Sequence, residues 1–353
     1  GQTLKTSALS VMEFVLLPRA HKLFLGFAAL LNSRLLRGNI HFQALGTNFR
    51  VWSDGIVSPL YEELESTCQL IAKEYDDVAG RLALLNDPAF IRRFREDWHH
   101  GRRGRNLAHF KAKIGAPDNI VIRDFHLMIF DGAPVADWDG ESFQAVFDRL
   151  ERFQRGAAGA ARSDAEREAF EKFPRPIGDD AEFMLHMMRT YDKQFRFWVD
   201  VSNVDHRSVL QLLLNKNSMP GFNDSGAHIT NMAFFDGNLM SLKLAQAQSL
   251  QTFSTMVRRL TREPAEFFGV DVGSLEIGAQ ADMVLLDPQA LQAWNSNDSR
   301  VLQYRELFQH PQMLNRSDGV VTSVLINGEP VWQDGEVTSA LGSRRLGRAL
   351  RAA

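Results

Sequence analysis

Cysteine is almost absent: Cys68 is the only one in 353 residues. One thiol excludes an internal disulfide and any cysteine-rich zinc module. It fits a reducing, cytoplasmic setting. A long apolar run free of charge is also absent. The most apolar N-terminal stretch, Phe14 to Leu36, contains Pro18, Arg19, His21, Lys22 and Arg34. A membrane-spanning helix needs about 20 apolar residues with few charges. The stretch therefore reads as a core-packing helical region, and neither a membrane partner nor a targeting segment is expected. Excess positive charge is missing too. The net charge of −3 argues against a nucleic-acid partner, whose basic footprint shifts the balance upward. No internal repeat or low-complexity tract occurs.

What is present is the mix of a globular protein with a sizeable core: 44% hydrophobic and 24% charged residues. Residues 9–37 read as helical with a break at Pro18, and Ile40 to Trp52 as a strand ending at Ser53-Asp54-Gly55. A helix over 59–73 places Leu60, Leu64, Cys68 and Ile71 on one apolar stripe, with Cys68 a small buried residue. Asp87 and Pro88 open a helix over 87–98. The basic stretch His99 to Arg105 reads as a loop. Adjacent His99 and His100 point in different directions and chelate poorly. Strands follow within 119–130. A charged helical region covers 142–172, its Glu and Arg read as a solvated face, and a further helix covers 180–194.

Beyond this the pattern tightens. Phe195 to Val201 reads as a strand, 205–217 as a helix, and Met219 to Phe222 as a short strand. Asn223-Asp224-Ser225-Gly226-Ala227-His228 follows at once. Strand, helix, strand and polar turn make a β/α unit whose turn lies at the carboxyl end of its strand, where α/β barrels place their chemistry. A carboxylate there can hold water, bind a metal or take up a proton, although Asp before Ser-Gly is also an ordinary turn residue. Residues 240–268 read as helical, with Thr261 capping the last turn. Short β runs follow at 283–286, 320–326 and 331–332, with Asn327-Gly328 as a hairpin turn. His126, His186 and His206 read as structural or solvent-facing.

GFNDSGAH (221–228), LT-x-x-PA-x-x-FG (260–269), G-x-L-x-x-G-x-x-AD-x-V-x-x-DP (273–288) and the run from Val321 to Thr338 around Asn327-Gly328 occur in one order. Together they resemble the C-terminal region of the amidohydrolase superfamily, D-aminoacylase branch. The resemblance covers roughly 205–350. It implies an α/β fold: the last strands of a (β/α)8 barrel over 1–268, with a helical insertion at about 142–194, and a small β-sandwich domain over 269–353. It implies zinc, a small-molecule N-acyl amino acid substrate, and hydrolysis of a linear non-peptide amide. Asp224 would be general base and then acid. His228, four residues on, would face substrate or orient Asp224, or act as a hydrogen-bonded support.

The resemblance also exposes a gap. The family supplies metal ligands from earlier strands, often as H-x-H, and no H-x-H occurs here. About three or four barrel-like strands can be counted before Asp224, where the barrel needs eight. With Gly1 first, the chain is expected to be an incomplete fragment. No metal ligand is identifiable in it, the ligands lying upstream in a missing N-terminal portion that would be its partner. Alone it is expected to be inactive and prone to aggregate through open strand edges. Two alternatives stand beside the deacylase: a non-catalytic binding or assembly protein retaining the fold, and a cyclic-amide hydrolase of the hydantoinase or dihydroorotase kind.

Overall fold

A computed structural model describes residues 5–6, 10–100, 122–226, 228 and 230–351. The chain forms two compact units, one from 1–49 with 202–353 and the other from 50–201.

The first unit is built on short parallel strands. β1 (Lys5–Thr6) pairs with β3 (Asn39–Ile40), and β4 (Phe42–Ala44) lies between β2 (Ser10–Val11) and β8 (Ser218–Pro220). Helix α1 (Ala20–Leu31) sets His21, Leu25 and Ala28 inward at i, i+4 and i+7. The Asn32 side chain ends it, accepting from the Ile40 amide at 2.8 Å and donating to the Ile40 carbonyl at 2.7 Å. Val11, Leu25, Ala28, Phe42 and Leu212 form one small core, and Ala44, Val209, Leu213, Met240, Met256 and Leu291 another. The expected core-packing role of 14–36 is thus largely overturned. Leu16, Leu17, Leu23, Phe24, Phe27, Leu30, Leu35 and Leu36 are exposed.

Asn203 ties strand ends together in this unit. It is buried and sits at φ 63°. Its amide donates to the Glu13 carbonyl at 2.8 Å, and its Oδ1 accepts from the Glu13 amide at 3.1 Å. Its Nδ2 donates to the Leu45 and Thr47 carbonyls at 3.3 and 3.2 Å. The segments leaving β2 and β4 are therefore fixed by one side chain.

The second unit holds a sheet ordered β5 (Phe49–Ser53), β7 (Phe197–Ser202), β6 (Met128–Phe130), with β6 antiparallel to β7. Its core is aromatic. Phe143 lies within 6.0 Å, centroid to centroid, of Phe125, Phe130, Phe183, Phe195 and Phe197. Helices α2 (Pro59–Glu63), α3 (Cys68–Ile71), α4 (Val78–Leu85) and α5 (Pro88–His100) precede it. The Asp87 carboxylate accepts from the Ala89 and Phe90 amides, the cap its position suggests.

Two expectations fail here. The helix foreseen over 59–73 breaks at an extended Leu64, so the stripe is discontinuous and Cys68 is exposed. The charged region at 142–172 is not simply a solvated face. Between α6 (Phe143–Gln154) and α7 (Asp164–Glu171), buried Arg149 donates from Nε to Glu166 Oε1 at 2.9 Å. Trp138 Nε1 donates to the same oxygen at 2.9 Å. Helix α8 (Asp180–Tyr191) is capped by Asp179. Residues 101–121, including most of the expected basic loop, lie outside the described residues.

Strand β7 leads through α9 (His206–Leu214), capped by Asp205, into β8. The strand–helix–strand order read from the sequence is present, but β7 and β8 belong to different sheets. After β8 come α10 (Gly237–Gln246), α11 (Leu250–Leu260) and α12 (Arg262–Phe268). Thr261 precedes α12 without capping it, because its hydroxyl donates back to the Val257 carbonyl at 2.8 Å.

Strand β9 (Met283–Leu286) is followed by α13 (Pro288–Ala293) and the hairpin of β10 (Arg300–Arg305) and β11 (His310–Asn315). Strands β12 (Val321–Ile326), β13 (Glu329–Gln333) and β14 (Glu336–Val337) complete a sheet ordered β14-β13-β12-β9. Asn327, at φ 51°, makes the expected turn between β12 and β13. Among the described residues all sheets are small and none closes into a barrel.

Asn203→Ala leaves the buried Glu13 amide without its acceptor and puts a Cβ residue without a local partner at positive φ. It is expected to cost about 3 kcal/mol. Asn203→Gly relieves the backbone part and should cost about 1 kcal/mol less. Urea unfolding midpoints at unchanged slope check both.

Candidate functional site

The loop that leaves β8 is anchored before it reaches Asp224. The Gly221 and Phe222 amides both donate to the Ala44 carbonyl, at 3.1 and 3.2 Å, so the loop is fixed to the end of β4. Gly221 sits at φ 118°, a conformation that needs glycine. Gly46, just past β4, has no room for a side chain, because a Cβ would lie 2.4 Å from the Gly237 carbonyl oxygen. The start of α10 is therefore packed onto the same strand end.

Asn223 and Ser225 bind the loop to Phe234. The Ser225 amide donates to Asn223 Oδ1 at 2.9 Å, an Asx turn. Buried Ser225 accepts from the Phe234 amide at 2.6 Å, and Asn223 Nδ2 donates to the Phe234 carbonyl at 3.4 Å. Phe234 is buried against Phe49, ring centroids 4.9 Å apart. With both neighbours held, Asp224 is left half-buried at the carboxyl end of the parallel strands. His228 is carried round to meet it, Nε2 lying 3.9 Å from Asp224 Oδ2. The His228 carbonyl accepts from the Asn231 and Met232 amides.

The same end of the strands holds further groups, of which Glu13 and Asp236 were not singled out from the sequence. Glu13, just past β2, is buried, and burial pushes its carboxyl upward. The Asp205 backbone amide counters this and the Asp205 charge adds to it. A signal was available: Glu13 is the sole acid among the first 53 residues, set in an apolar run. His206 opens α9 and lies 3.3 Å from Asn48 Oδ1. Asp236, before α10, is buried, accepts from the Ser296 hydroxyl through Oδ2, and has no partner for Oδ1 among the described residues. Burial raises it to about 6.

His126 and His186 are placed as the sequence suggests, whereas His99 lies in α5 and not in the expected loop. His126 is exposed in a turn. His186 is buried against Phe173, at 3.8 Å between ring centroids, and burial lowers it to about 4. His99 meets Asp179 at 3.1 Å and Asp180 at 3.8 Å, a set of three potential ligands. Arg95 already donates to Asp179 at 2.6 Å and Asp179 caps α8, so these groups are held by other partners. A cavity of about 430 Å³ lies at the amino ends of β4 and β8, lined by His41, Lys216, Ser218, Arg259 and Phe267. It is at the opposite end of those strands from Asp224. There Arg259 donates to the Ser218 and Asn215 carbonyls and pairs with Glu263.

Around Asp224, the described residues place only His228 within reach as a second donor. A catalytic zinc takes about three protein ligands, so the described residues around Asp224 do not make up a zinc site.

Residues 199–331 match the family model described as the amidohydrolase family. Over that stretch the chain is amidohydrolase-like, as the motifs read. An uncharacterized protein of Mycobacterium tuberculosis (strain ATCC 25618 / H37Rv) is 28% identical over 311 residues, covering 86% of this chain and 44% of the relative. An uncharacterized protein of Mycobacterium bovis matches with the same figures. The chain thus spans less than half the length of the curated relatives it matches. Among solved structures, a D-aminoacylase studied for its binuclear metal center is 15% identical, with 94% of this chain and 66% of that chain covered and a TM-score of 0.31. An N-acyl-D-glutamate deacylase of Bordetella bronchiseptica, complexed with zinc and a phosphonate inhibitor, is 18% identical, with 60% and 37% covered and a TM-score of 0.28. At those scores the likeness does not bear on the fold or chemistry of this chain.

Asp236 makes stability depend on pH with a definite sign. Its folded value, about 6, lies above the ordinary 3.8. Its contribution is therefore complete below pH 3.8 and is lost as pH rises through about 6. The loss is on the order of 3 kcal/mol. Asp236→Asn, which keeps an acceptor for Ser296, should raise Tm at pH 7 and leave it unchanged near pH 4. Calorimetry across this range checks it.

Proposed function

We propose that this chain is part of a hydrolase of linear, non-peptide amides, with N-acyl-D-amino acids as substrates and Asp224 as the proton-transferring group. The observation that supports this most is the position of Asp224. It follows a parallel strand, held by hydrogen bonds on both sides, inside the stretch that matches the amidohydrolase family. Strands β2, β4 and β8 are then read as late barrel strands and 269–353 as the small β-rich domain.

A half-buried carboxylate at a strand end can accept a proton from attacking water and return it to the departing nitrogen. His228, 3.9 Å away, is placed to orient the carboxylate or to contact the substrate. The resemblance implies zinc, but the described donors around Asp224 do not complete a site, so no step is assigned to a metal. The second reading is a non-catalytic binding or assembly module on the same fold.

The test uses the protein that carries this chain, assayed for release of free amino acid from N-acyl-D-amino acids. Asp224→Asn should lower kcat by about 10²–10⁴-fold, the usual contribution of a positioned acid–base group. Its melting temperature should stay near wild type, since the side chain is half-exposed. Undiminished turnover in Asp224→Ala would remove the proton-transfer role. No hydrolysis by wild type, with N-acyl-amino acid binding retained, would favour the module.

A further inference from the structure

The segment from Leu16 to Arg37 is poorly covered by the rest of its unit. Helix α1 uses His21, Leu25 and Ala28 to pack inward. The opposite side presents Leu23, Phe27 and Leu30, again at i, i+4 and i+7, exposed to 78%, 57% and 59%. Phe24 flanks them, and Leu35, at 87%, continues the surface past the helix end. Scattered exposed leucines are ordinary, but a contiguous apolar face of this size marks a contact surface.

Charge narrows what the surface can contact. Arg19 and Lys22 stand at the start of the helix and Arg34 and Arg37 just beyond it, all four exposed. From Phe14 to Ser53 there is no Asp or Glu. An isologous pairing with a second copy would set this cationic patch against itself, which like-charge repulsion disfavours. An apolar helix face rimmed by cations and free of acids is the pattern of a helix that lies in the headgroup region of an anionic bilayer. No helix among the described residues is long and apolar enough to cross a membrane, and lying in the interface does not require one.

We infer that α1 and the turn after it form a docking surface for a bilayer containing anionic phospholipid. Leu23, Phe27, Leu30 and Leu35 enter the acyl boundary, and Arg19, Lys22, Arg34 and Arg37 meet the phosphates. This surface is separate from Asp224 and does not rest on the proposed hydrolysis.

The experiment is co-sedimentation of the protein that carries this chain with phosphatidylcholine vesicles, with and without phosphatidylglycerol. Wild type should pellet with the anionic vesicles only. Release is expected as NaCl is raised to about 0.5 M, where surface charges are screened within a few ångströms. The double variant Leu23→Ser/Phe27→Ser should lose pelleting. Arg19→Ala/Arg34→Ala should weaken it about 25-fold, at roughly fivefold per cation. Circular dichroism of each variant confirms the fold, and both substituted pairs are exposed. Three results would overturn the inference: no pelleting with anionic vesicles, equal pelleting with neutral ones, or binding unchanged in both variants. A fourth is self-association without lipid that Leu23→Ser/Phe27→Ser abolishes, which would make a second copy the occupant.

Discussion

The carboxyl ends of short parallel strands leave backbone groups that no ladder satisfies, and in the first unit Asn203 satisfies several of them. A buried amide side chain at positive φ is costly in isolation. Here it is held by four hydrogen bonds, to Glu13, Leu45 and Thr47. The segment that leaves β4 is held by this, and the site is built on the same strand end. The Ala44 carbonyl at the end of β4 receives the Gly221 and Phe222 amides. Those bonds fix where the next residues go, and Asp224 is two residues on. The chain of dependence runs from a buried asparagine, through a strand end, to the carboxylate.

The second unit is stabilised differently. Its sheet is small, and its core is packed with phenylalanine rings in edge and tilted contacts that contribute beyond their buried area. Arg149, Glu166 and Trp138 sit within this apolar volume. Their hydrogen bonds offset a desolvation cost that neither charge could bear alone. The same reasoning separates this pair from Arg19, Lys22, Arg34 and Arg37. Those cations have no acid nearby in sequence and stay exposed.

Much of the site could be read from residue order. Asp224 in a polar turn after a short strand and the hairpin at Asn327 are local features, and local chemistry marks them. The helix start at Asp87 was legible in the same way. Glu13 and Asp236 were not found, although Glu13 stood out as a lone acid. Their interest lies in burial, and burial depends on segments far away in sequence. Arg149 and Glu166 were misread for that reason: a charged helical pattern looks the same whether a face meets water or another charged face.

The sequence by itself determined the strand–helix–strand order from 195 to 222 and the turn that carries Asp224, and its later motifs resemble the amidohydrolase superfamily. The order and the turn follow from spacing, capping and turn preferences over a few residues. Only the tertiary structure decided that Asp224 and His228 come within 3.9 Å and that Cys68 faces outward. It also decided that the apolar stretch at 14–36 leaves most of its large side chains exposed. Each of these depends on which distant segment packs against a given face, and periodicity shows that a face is apolar without showing what covers it.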